Sequence, residues 1–442
     1  MSINMVIVLM FVMIAVGVFL GFPIAFVLAG LGLIFGYIFW GPQVVNLMAA
    51  RGFAVMTNMT YVAIPLFVFM GCMLEHSGIA NVAFGALNQW LRRIRGGLGV
   101  ATIAICTMFG ACVGVVGASV TTMGLLALPP MVDRGYSKSL ATGIVAAGGS
   151  LGILIPPSIM IVVFGPVAGV SVVKLFAGAV PPGFLLAIAY IVYILVCGFV
   201  KKDMVPPAIK KDDPNVKLEF TLAQGLASFL PFIVLILLVM GSILLGIAAP
   251  TEAAGVGALG AILIAIGYRR FNKKSVVGSA IATLSTSAMV MFVILGANVF
   301  TAVFFGLGGT KVVTNFINAM GLGPNGLFAV VLIVVFILGV FIDWVGITLI
   351  VVPVFMPILV EFGFDPLFVS LIIIVLMQTS FLTPPFAYAI FYIAGIAPPG
   401  VTVMHIYKGV LPFIAIQVVV VALCIWQPNI LLWLPNALNT GM

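Results

Sequence analysis

Two stretches of sequence decide the fold: GGSLGILIPPS at residues 148–158 and QTSFLTPP at residues 378–385. Each places a Pro-Pro pair inside a long apolar run. Paired prolines remove two backbone donors and clash with the preceding helical turn, so the carbonyls before them lose their helical partners. The pattern predicts a helix broken in the middle of the membrane, once in each half of the chain. An ordinary proline kink filled by a neighbour is the alternative for either stretch alone.

The two stretches belong to an internal repeat with an offset of 228 residues. The residues that coincide at this offset are Pro156-Pro157 with Pro384-Pro385, Pro129 with Pro357, Asp133 with Glu361, Gly135 with Gly363 and Tyr136 with Phe364. Residues 133–138 carry net positive charge, whereas the equivalent residues 361–365 are purely acidic. Because basic loops face the cytoplasm, equivalent points should lie on opposite faces of the membrane. The sequence therefore predicts an inverted-topology repeat.

The composition places the whole chain in a membrane. Of its 442 residues, 64% are hydrophobic and only 6% are charged, so the chain cannot cover a water-facing surface. The net charge of +8 comes from short basic clusters between apolar runs, which is typical of cytoplasmic loops and not of nucleic-acid binding. The prediction is an all-α polytopic membrane protein.

Each half also contains an apolar run that glycine and polar residues interrupt. The first covers residues 97–131 and is polar around Ser119; the second covers residues 324–360 and is broken at Asp343. Polar backbone at mid-membrane is tolerated only where protein or a water-filled cavity covers it. Both runs are therefore predicted to be re-entrant hairpins whose tips face the broken helices. Two glycine-rich full spans with tight packing are the alternative.

Free carbonyls and hydroxyl groups at the tips and breaks suit a hard cation such as Na⁺, which prefers an oxygen-only shell. Asp343 could bind the cation directly or cap the outgoing half-helix; the sequence leaves both roles open. The candidate Na⁺ ligands are Ser119, Thr121, Thr122, Gly149, Ser150, Gly152, Asp343, Gly346, Thr379, Ser380 and Thr383.

The half-helices that follow the breaks begin with their positive ends aimed at the same region, which suits a carboxylate. The candidate substrate-binding residues are Ser119, Pro156, Pro157, Ser158, Trp344, Thr348, Pro384 and Pro385. No arginine lies inside the apolar runs to hold an anion. A Walker-type phosphate loop, an HExxH motif and a catalytic Ser or Cys with a nearby base are absent from the sequence, so ATP-driven transport and enzymatic catalysis are disfavoured, and no cofactor or transition metal is expected.

These residues resemble the large membrane subunit of TRAP (tripartite ATP-independent periplasmic) transporters, within the wider ion-transporter fold. The resemblance covers nearly the whole chain. Its most specific motifs are residues 109–124, GSLGILIPPS at 149–158, GIAAPTEAA at 246–254, FID at 341–343 and TPP at 383–385.

The resemblance implies an elevator-type carrier with a scaffold and a mobile transport domain in a bacterial inner membrane. It also implies Na⁺-coupled import of small carboxylates, a small four-helix membrane subunit and a periplasmic binding protein that delivers the substrate. A stand-alone Na⁺/carboxylate carrier or exporter of the same fold, and an anion channel, are the alternatives.

The sequence departs from the family at the first tip. Many members have a serine-rich tip, whereas here the matching residues 113–119 read VGVVGAS. Sodium coordination there would rest on backbone carbonyls with Ser119, Thr121 or Thr122. This variant tip and the QTSFLTPPF stretch at 378–386 resemble the branch linked to monocarboxylates, 2-oxo acids and aromatic acids.

The implied organisation has five segments. They are an N-terminal scaffold with an interfacial arm helix at 1–96, a first transport repeat at 97–178 with its broken helix at 139–170, scaffold helices at 179–323 with a cytoplasmic linker at 201–219, a second transport repeat at 324–404 with its broken helix at 366–397, and a C-terminal span at 405–442.

Overall fold

A computed structural model describes residues 2–208, 221–319, 321–385 and 387–439, and these residues form helices without a β-strand. Residues 209–219 of the predicted cytoplasmic linker lie outside the described part. The helices of the first half are α1 (Ile3–Phe19), α2 (Ile24–Trp40), α3 (Gln43–Met56), α4 (Ala63–Ser77), α5 (Ile79–Leu91), α6 (Gly97–Val113), α7 (Val116–Asp133), α8 (Lys138–Leu151), α9 (Ile159–Ala168) and α10 (Val172–Val200).

The second half repeats much of this order. Its helices are α11 (Leu222–Leu244), α12 (Pro250–Gly267), α13 (Lys273–Gly306), α14 (Gly309–Ala319), α15 (Pro324–Gly339), α16 (Trp344–Glu361), α17 (Pro366–Leu376), α18 (Tyr388–Ile396), α19 (Val403–Trp426) and α20 (Asn429–Asn439). Short 3₁₀ helices cover Met59–Val62 and Met377–Phe381. The amphipathic helices α5 and α14 each precede a hairpin, and each hairpin precedes a broken helix.

The helices pack as two bundles. The first bundle contains α1–α5 and α11–α14, held together by α12 against α4 and by α13 against α2 and α4. The second bundle contains both hairpins and both broken helices, with α10, α19 and α20 packed on them. Contacts of α13 with α16, and of α4 with α6 and α9, join the bundles. The site described below lies at this junction.

Both predicted hairpins are present. Helices α6 and α7 pack side by side and are joined by Gly114-Val115, and α15 and α16 are joined by residues 340–343. Both predicted helix breaks are also present, because α8 ends at Leu151 and α9 begins at Ile159, while the 3₁₀ turn after α17 ends at Phe381 and α18 begins at Tyr388. The predicted all-α fold with paired hairpins and Pro-Pro breaks is therefore confirmed.

Close backbone contact explains the glycines around the first break. Gly152, just after α8, lies against Gly110 of α6, and a Cβ atom built on Gly152 would be 2.2 Å from the Gly110 Cα. At the break, the Ser158 hydroxyl donates to the Ile153 carbonyl and satisfies one of the freed acceptors. The Pro156-Pro157 and Pro384-Pro385 peptide bonds are cis. The contact of Gly152 with Gly110 packs the first break directly on the first hairpin.

Eight helices in the described part of the chain are long and apolar enough to cross a membrane, so the chain is a multi-pass membrane protein. Its basic loops meet at one face: the Arg95 guanidinium donates to the carbonyl oxygens of Lys202 and Val205. The Lys138 Nζ atom donates to the Gly400 carbonyl, which brings the loop between α18 and α19 to the same face. The positive-inside rule makes this face cytoplasmic.

Candidate functional site

A cavity of about 190 Å³ lies where the two hairpin tips meet the first bundle. Gly114, Val115 and Gly117 of the first tip line it, and Asp343 and Trp344 of the second tip lie in the same wall. Since the two tips belong to opposite copies of the repeat, their meeting at one cavity supports re-entrant hairpins. The cavity is the structure's candidate substrate site.

Four helices begin at this cavity. Their first residues are Val116 of α7, Ile159 of α9, Trp344 of α16 and Tyr388 of α18, and all four line the cavity. The first amides of a helix have no intrahelical partner and carry the positive end of the helix dipole. Helices α7, α9 and α18 have no side-chain cap. Their free N–H groups make the cavity suited to an anionic group.

Asp343 caps the fourth of these helices. Its Oδ1 atom accepts a hydrogen bond from the Gly346 amide at 3.1 Å, and the carboxylate itself is half-buried in the cavity wall. The capping role that the sequence left open is therefore present. The second carboxylate oxygen can still accept from water or bind a cation.

The cavity has an aromatic wall that sequence reasoning missed. Phe381, Tyr388 and Tyr392 line it together with Trp344, and the tyrosines of α18 are 45% and 41% exposed. The i, i+4 spacing of the tyrosines in an apolar half-helix was the signal that could have identified them. The wall favours a ligand with an apolar or aromatic body.

Helix α13 of the first bundle closes the cavity on the opposite side. Thr286, Met289 and Val290 of this helix line it. Sequence reasoning did not select these residues, because a hydropathy pattern does not reveal which helix faces the tips. The candidate site is thus shared between the two bundles.

Two candidate Na⁺ ligands are buried hydroxyl groups without a hydrogen-bond partner. Ser119 in the first turn of α7 is 1% exposed, Ser380 after α17 is 4% exposed, and neither Oγ atom has a partner. A buried polar group left unsatisfied costs about 1–3 kcal/mol. Ser380 lies against Gly339, the last residue of α15. Ser380 therefore offers a free oxygen at the contact between the second hairpin and the second broken helix, and Ser119 offers one in the first turn of α7.

Other predicted hydroxyl ligands are hydrogen-bonded locally. Ser150, Thr379 and Thr383 donate to the carbonyls of Ala147, Leu376 and Thr379, at 2.7–3.0 Å. Thr348, which was predicted to bind substrate, donates to the Trp344 carbonyl at 2.7 Å. A hydroxyl that donates a proton keeps oxygen lone pairs that can bind a cation. These residues remain candidate ligands, although none of them is among the residues that line the cavity.

Thr122 is engaged differently. Its hydroxyl donates to the Glu75 carboxylate of α4 at 2.6 Å, so the first hairpin is tied to the first bundle at this point. Thr121 precedes it and is half-buried. A residue that sequence reasoning offered as a cation ligand thus forms a contact between the bundles.

The remaining candidates shape the backbone. Gly149 allows α8 to approach Val120 of α7, where a Cβ atom would lie 2.8 Å from the Val120 Cα, and Gly346 donates its amide to Asp343. Pro156, Pro157 and Ser158 are buried, Pro384 is half-buried and Pro385 is exposed. Of all the predicted site residues in the described chain, Asp343 and Trp344 are the ones that reach the cavity wall.

Comparison with known proteins identifies relatives of this architecture. Residues 7–430 match the family model of the "Tripartite ATP-independent periplasmic transporter, DctM component". The chain is 32% identical over 403 residues to the C4-dicarboxylate TRAP transporter large permease protein DctM of Pseudomonas aeruginosa, covering 90% of this chain and 92% of that protein.

A second relative and a solved structure extend the comparison. The isethionate TRAP transporter permease protein DctMQ of Oleidesulfovibrio alaskensis is 30% identical over 414 residues, which are 93% of this chain and 63% of that longer protein. The crystal structure of the Alcanivorax borkumensis YdaH transporter has a similar fold, with a TM-score of 0.65 at 15% identity, covering 91% of this chain and 96% of that one.

Proposed function

The chain belongs to the DctM family of large permease components of tripartite ATP-independent periplasmic transporters, and from this membership we propose that it imports small organic acids by Na⁺-coupled secondary transport. It is a membrane transport component and not an enzyme. The observation that carries the substrate proposal is the cavity at which four helices begin, three of them uncapped. Backbone amides at these ends bind the carboxylate.

The aromatic wall narrows the class of organic acid. Trp344, Phe381, Tyr388 and Tyr392 surround a space of about 190 Å³, and among the described residues no basic side chain lines it to hold a second charged end. We propose a monocarboxylate, a 2-oxo acid or an aromatic acid as the substrate. The C4-dicarboxylate and isethionate in the names of two relatives are also small organic anions, which supports organic acids as the substrate class. We base the choice within this class on the cavity of this chain.

Sodium is the proposed coupling ion and the protein needs no other cofactor. Ser119 in the first hairpin and Ser380 in the second broken helix offer unpartnered oxygens, and Asp343 supplies the negative charge. Cations bound there compensate the charge of the incoming acid in a low-dielectric site. The two bundles act as scaffold and transport domain, and the second bundle carries the cavity across the membrane as an elevator.

Family membership implies a periplasmic binding protein and usually a small membrane subunit. We propose that this chain acts in a bacterial inner membrane with a four-helix small subunit and with a binding protein that delivers the acid. The basic loops around Arg95 and Lys202 then face the cytoplasm.

The test is uptake of labelled pyruvate, benzoate and succinate into proteoliposomes. The vesicles contain the chain with its small subunit, the binding protein is added outside, and a Na⁺ gradient is present or absent. We expect saturable uptake of pyruvate or benzoate that requires both the binding protein and the Na⁺ gradient. Uptake without the binding protein would indicate a stand-alone carrier, and non-saturable flux without Na⁺ would indicate a channel.

Replacing Ser119 or Ser380 should lower the apparent affinity for Na⁺ without affecting the folding of the protein. Ser119→Ala and Ser380→Ala are each expected to raise the Na⁺ concentration for half-maximal uptake by about tenfold, because a lost charge-assisted ligand is worth about 1.4 kcal/mol or more. Thermal stability should not fall, since no hydrogen bond is lost.

The matched control is Ser370→Ala. This serine of α17 is equally buried, but its hydroxyl donates to the Pro366 carbonyl, so its loss should leave the Na⁺ dependence unchanged. An unchanged Na⁺ dependence in both Ser119→Ala and Ser380→Ala would remove these two residues from the cation site.

A further inference from the structure

A second cavity, of about 230 Å³, lies between the two bundles on the other side of the tips. Asn298, Thr301 and Phe305 near the end of α13 line it, and Leu349 and Pro353 of α16 form the facing wall. From Met289 in the first cavity to Thr301 in the second is twelve residues along α13, or about 18 Å. The second cavity is near the end of α13 that lies away from the basic loop before Lys273, so it is on the periplasmic side.

Arg51 of α3 also lines this cavity. No charged residue precedes it in the sequence, and the next one is Glu75. Among the described residues, no hydrogen bond or ion pair engages its guanidinium, and no acidic residue lines the cavity. Arg51 is exposed, and the positive-inside rule does not call for an arginine on the periplasmic side. An exposed guanidinium that lines a cavity without an acidic partner can bind an anion.

One face of α13 connects the two cavities. Thr286 and Val290 line the first cavity, and Ala297 and Thr301 line the second. Their spacings of four and seven residues place all four on one side of the helix. The second bundle, which is the proposed transport domain and is called the transport bundle from here on, also contributes α9 and α16 to both cavities. A movement of the transport bundle along α13 would therefore bring the helix starts from the first cavity toward Arg51.

We propose that Arg51 and Thr301 form a second anion-binding site, which receives the carboxylate of the organic acid on the periplasmic side before the helix N-termini bind it. This inference rests on the proposed function. A guanidinium offers two parallel N–H donors that match a carboxylate, and the Thr301 hydroxyl adds a third donor. The site is fixed in the scaffold, so it raises the local concentration of the anion where the carrier is loaded.

The test measures the electrostatic preference of the cavity directly. In the complete complex, Thr301→Cys is labelled from outside with an anionic methanethiosulfonate (ethylsulfonate) or a cationic one (ethyltrimethylammonium); the five native cysteines are buried. The ratio of anionic to cationic labelling rates should fall by about tenfold when Arg51→Gln is added, since Arg51 is the one charged residue among the described residues that line the cavity. Arg51→Lys should preserve most of the ratio.

Lys174→Gln is the matched control, because Lys174 is an exposed cation in the first turn of α10 and does not line the cavity. It should leave the labelling ratio unchanged. A ratio that Arg51→Gln does not alter overturns the proposal. A second arm compares phosphatidylcholine vesicles with vesicles that contain phosphatidylglycerol; a ratio that falls to the Arg51→Gln value in the anionic vesicles would assign Arg51 to lipid phosphate and overturn the assignment to the organic acid.

Uptake completes the test. Arg51→Gln should raise the KM for the transported acid by about tenfold with little change in the maximal rate, because a receiving site acts on capture and not on the later movement. An unchanged KM overturns the receiving role. If the unsubstituted complex moves no organic acid, the proposed function fails, whereas the labelling ratio still decides whether Arg51 binds anions.

Discussion

Asp343→Asn is expected to lower Na⁺-driven uptake by about 100-fold while leaving the amount of folded protein unchanged, because it removes the proposed cation ligand and keeps the helix cap. Asparagine is as good an N-cap as aspartate, so the hydrogen bond from the Gly346 amide survives. Asp343→Ala loses both the carboxylate and the helix cap, so it should also lower the unfolding temperature. Uptake and thermal unfolding of the two variants separate capping from ion binding.

Asp365→Asn is the matched control for this prediction. Asp365 caps α17 by accepting from the Leu367 amide, but it is exposed and far from the tips in the fold. Its replacement should change neither uptake nor stability. If Asp343→Asn transports as well as the unsubstituted protein and only Asp343→Ala fails, the carboxylate is a cap alone and the cation site excludes it.

Gly152→Ala is expected to abolish transport and to destabilise the protein by about 3 kcal/mol, the upper range for overpacking a tight contact. The added methyl group would lie 2.2 Å from the Gly110 Cα, and backbone cannot move aside as a flexible side chain can. Gly152 has a φ of −62°, so the backbone conformation itself accepts alanine. The expected loss therefore reports on the contact between α6 and the break.

Gly395→Ala provides the comparison, because this helical glycine of α18 has open space around its Cβ position. It should be neutral or slightly stabilising, since alanine is the better helix former. Yield of monodisperse protein and the midpoint of thermal unfolding are the measurements. If Gly152→Ala and Gly395→Ala have the same yield and the same unfolding midpoint, then α6 and the break can move apart without loss of stability.

The sequence predicted the parts of the site that local chemistry determines. Pro156-Pro157 and Pro384-Pro385 located both breaks because the two pairs recur in register in the two halves, whereas Pro129-Pro130 and Pro181-Pro182 lie inside the continuous helices α7 and α10. Asp343 was identified because a carboxylate in an apolar run needs a polar setting. These features depend on residues close together in the chain, which is why they could be predicted without coordinates.

The residues that were missed depend on packing between distant segments. Thr286 and Met289 reach the cavity because α13 lies against the tips, and Thr122 is bonded to Glu75 because α4 lies beside α7. Arg51 follows a run of 50 uncharged residues, and only the fold shows that it lines a cavity with α13 and α16. Hydropathy gives the number of apolar segments and does not give their neighbours.

The four helices that begin at one cavity also have an evolutionary consequence. In the proposed site, affinity for an anion comes from peptide N–H groups, and a substitution removes such a donor only when it introduces proline, whereas any substitution removes the guanidinium of an arginine. The side chains of the wall, such as Trp344 and Tyr388, can change without loss of that affinity. The same scaffold can therefore be inherited with its preference for negative charge intact while mutation retunes which acid it accepts.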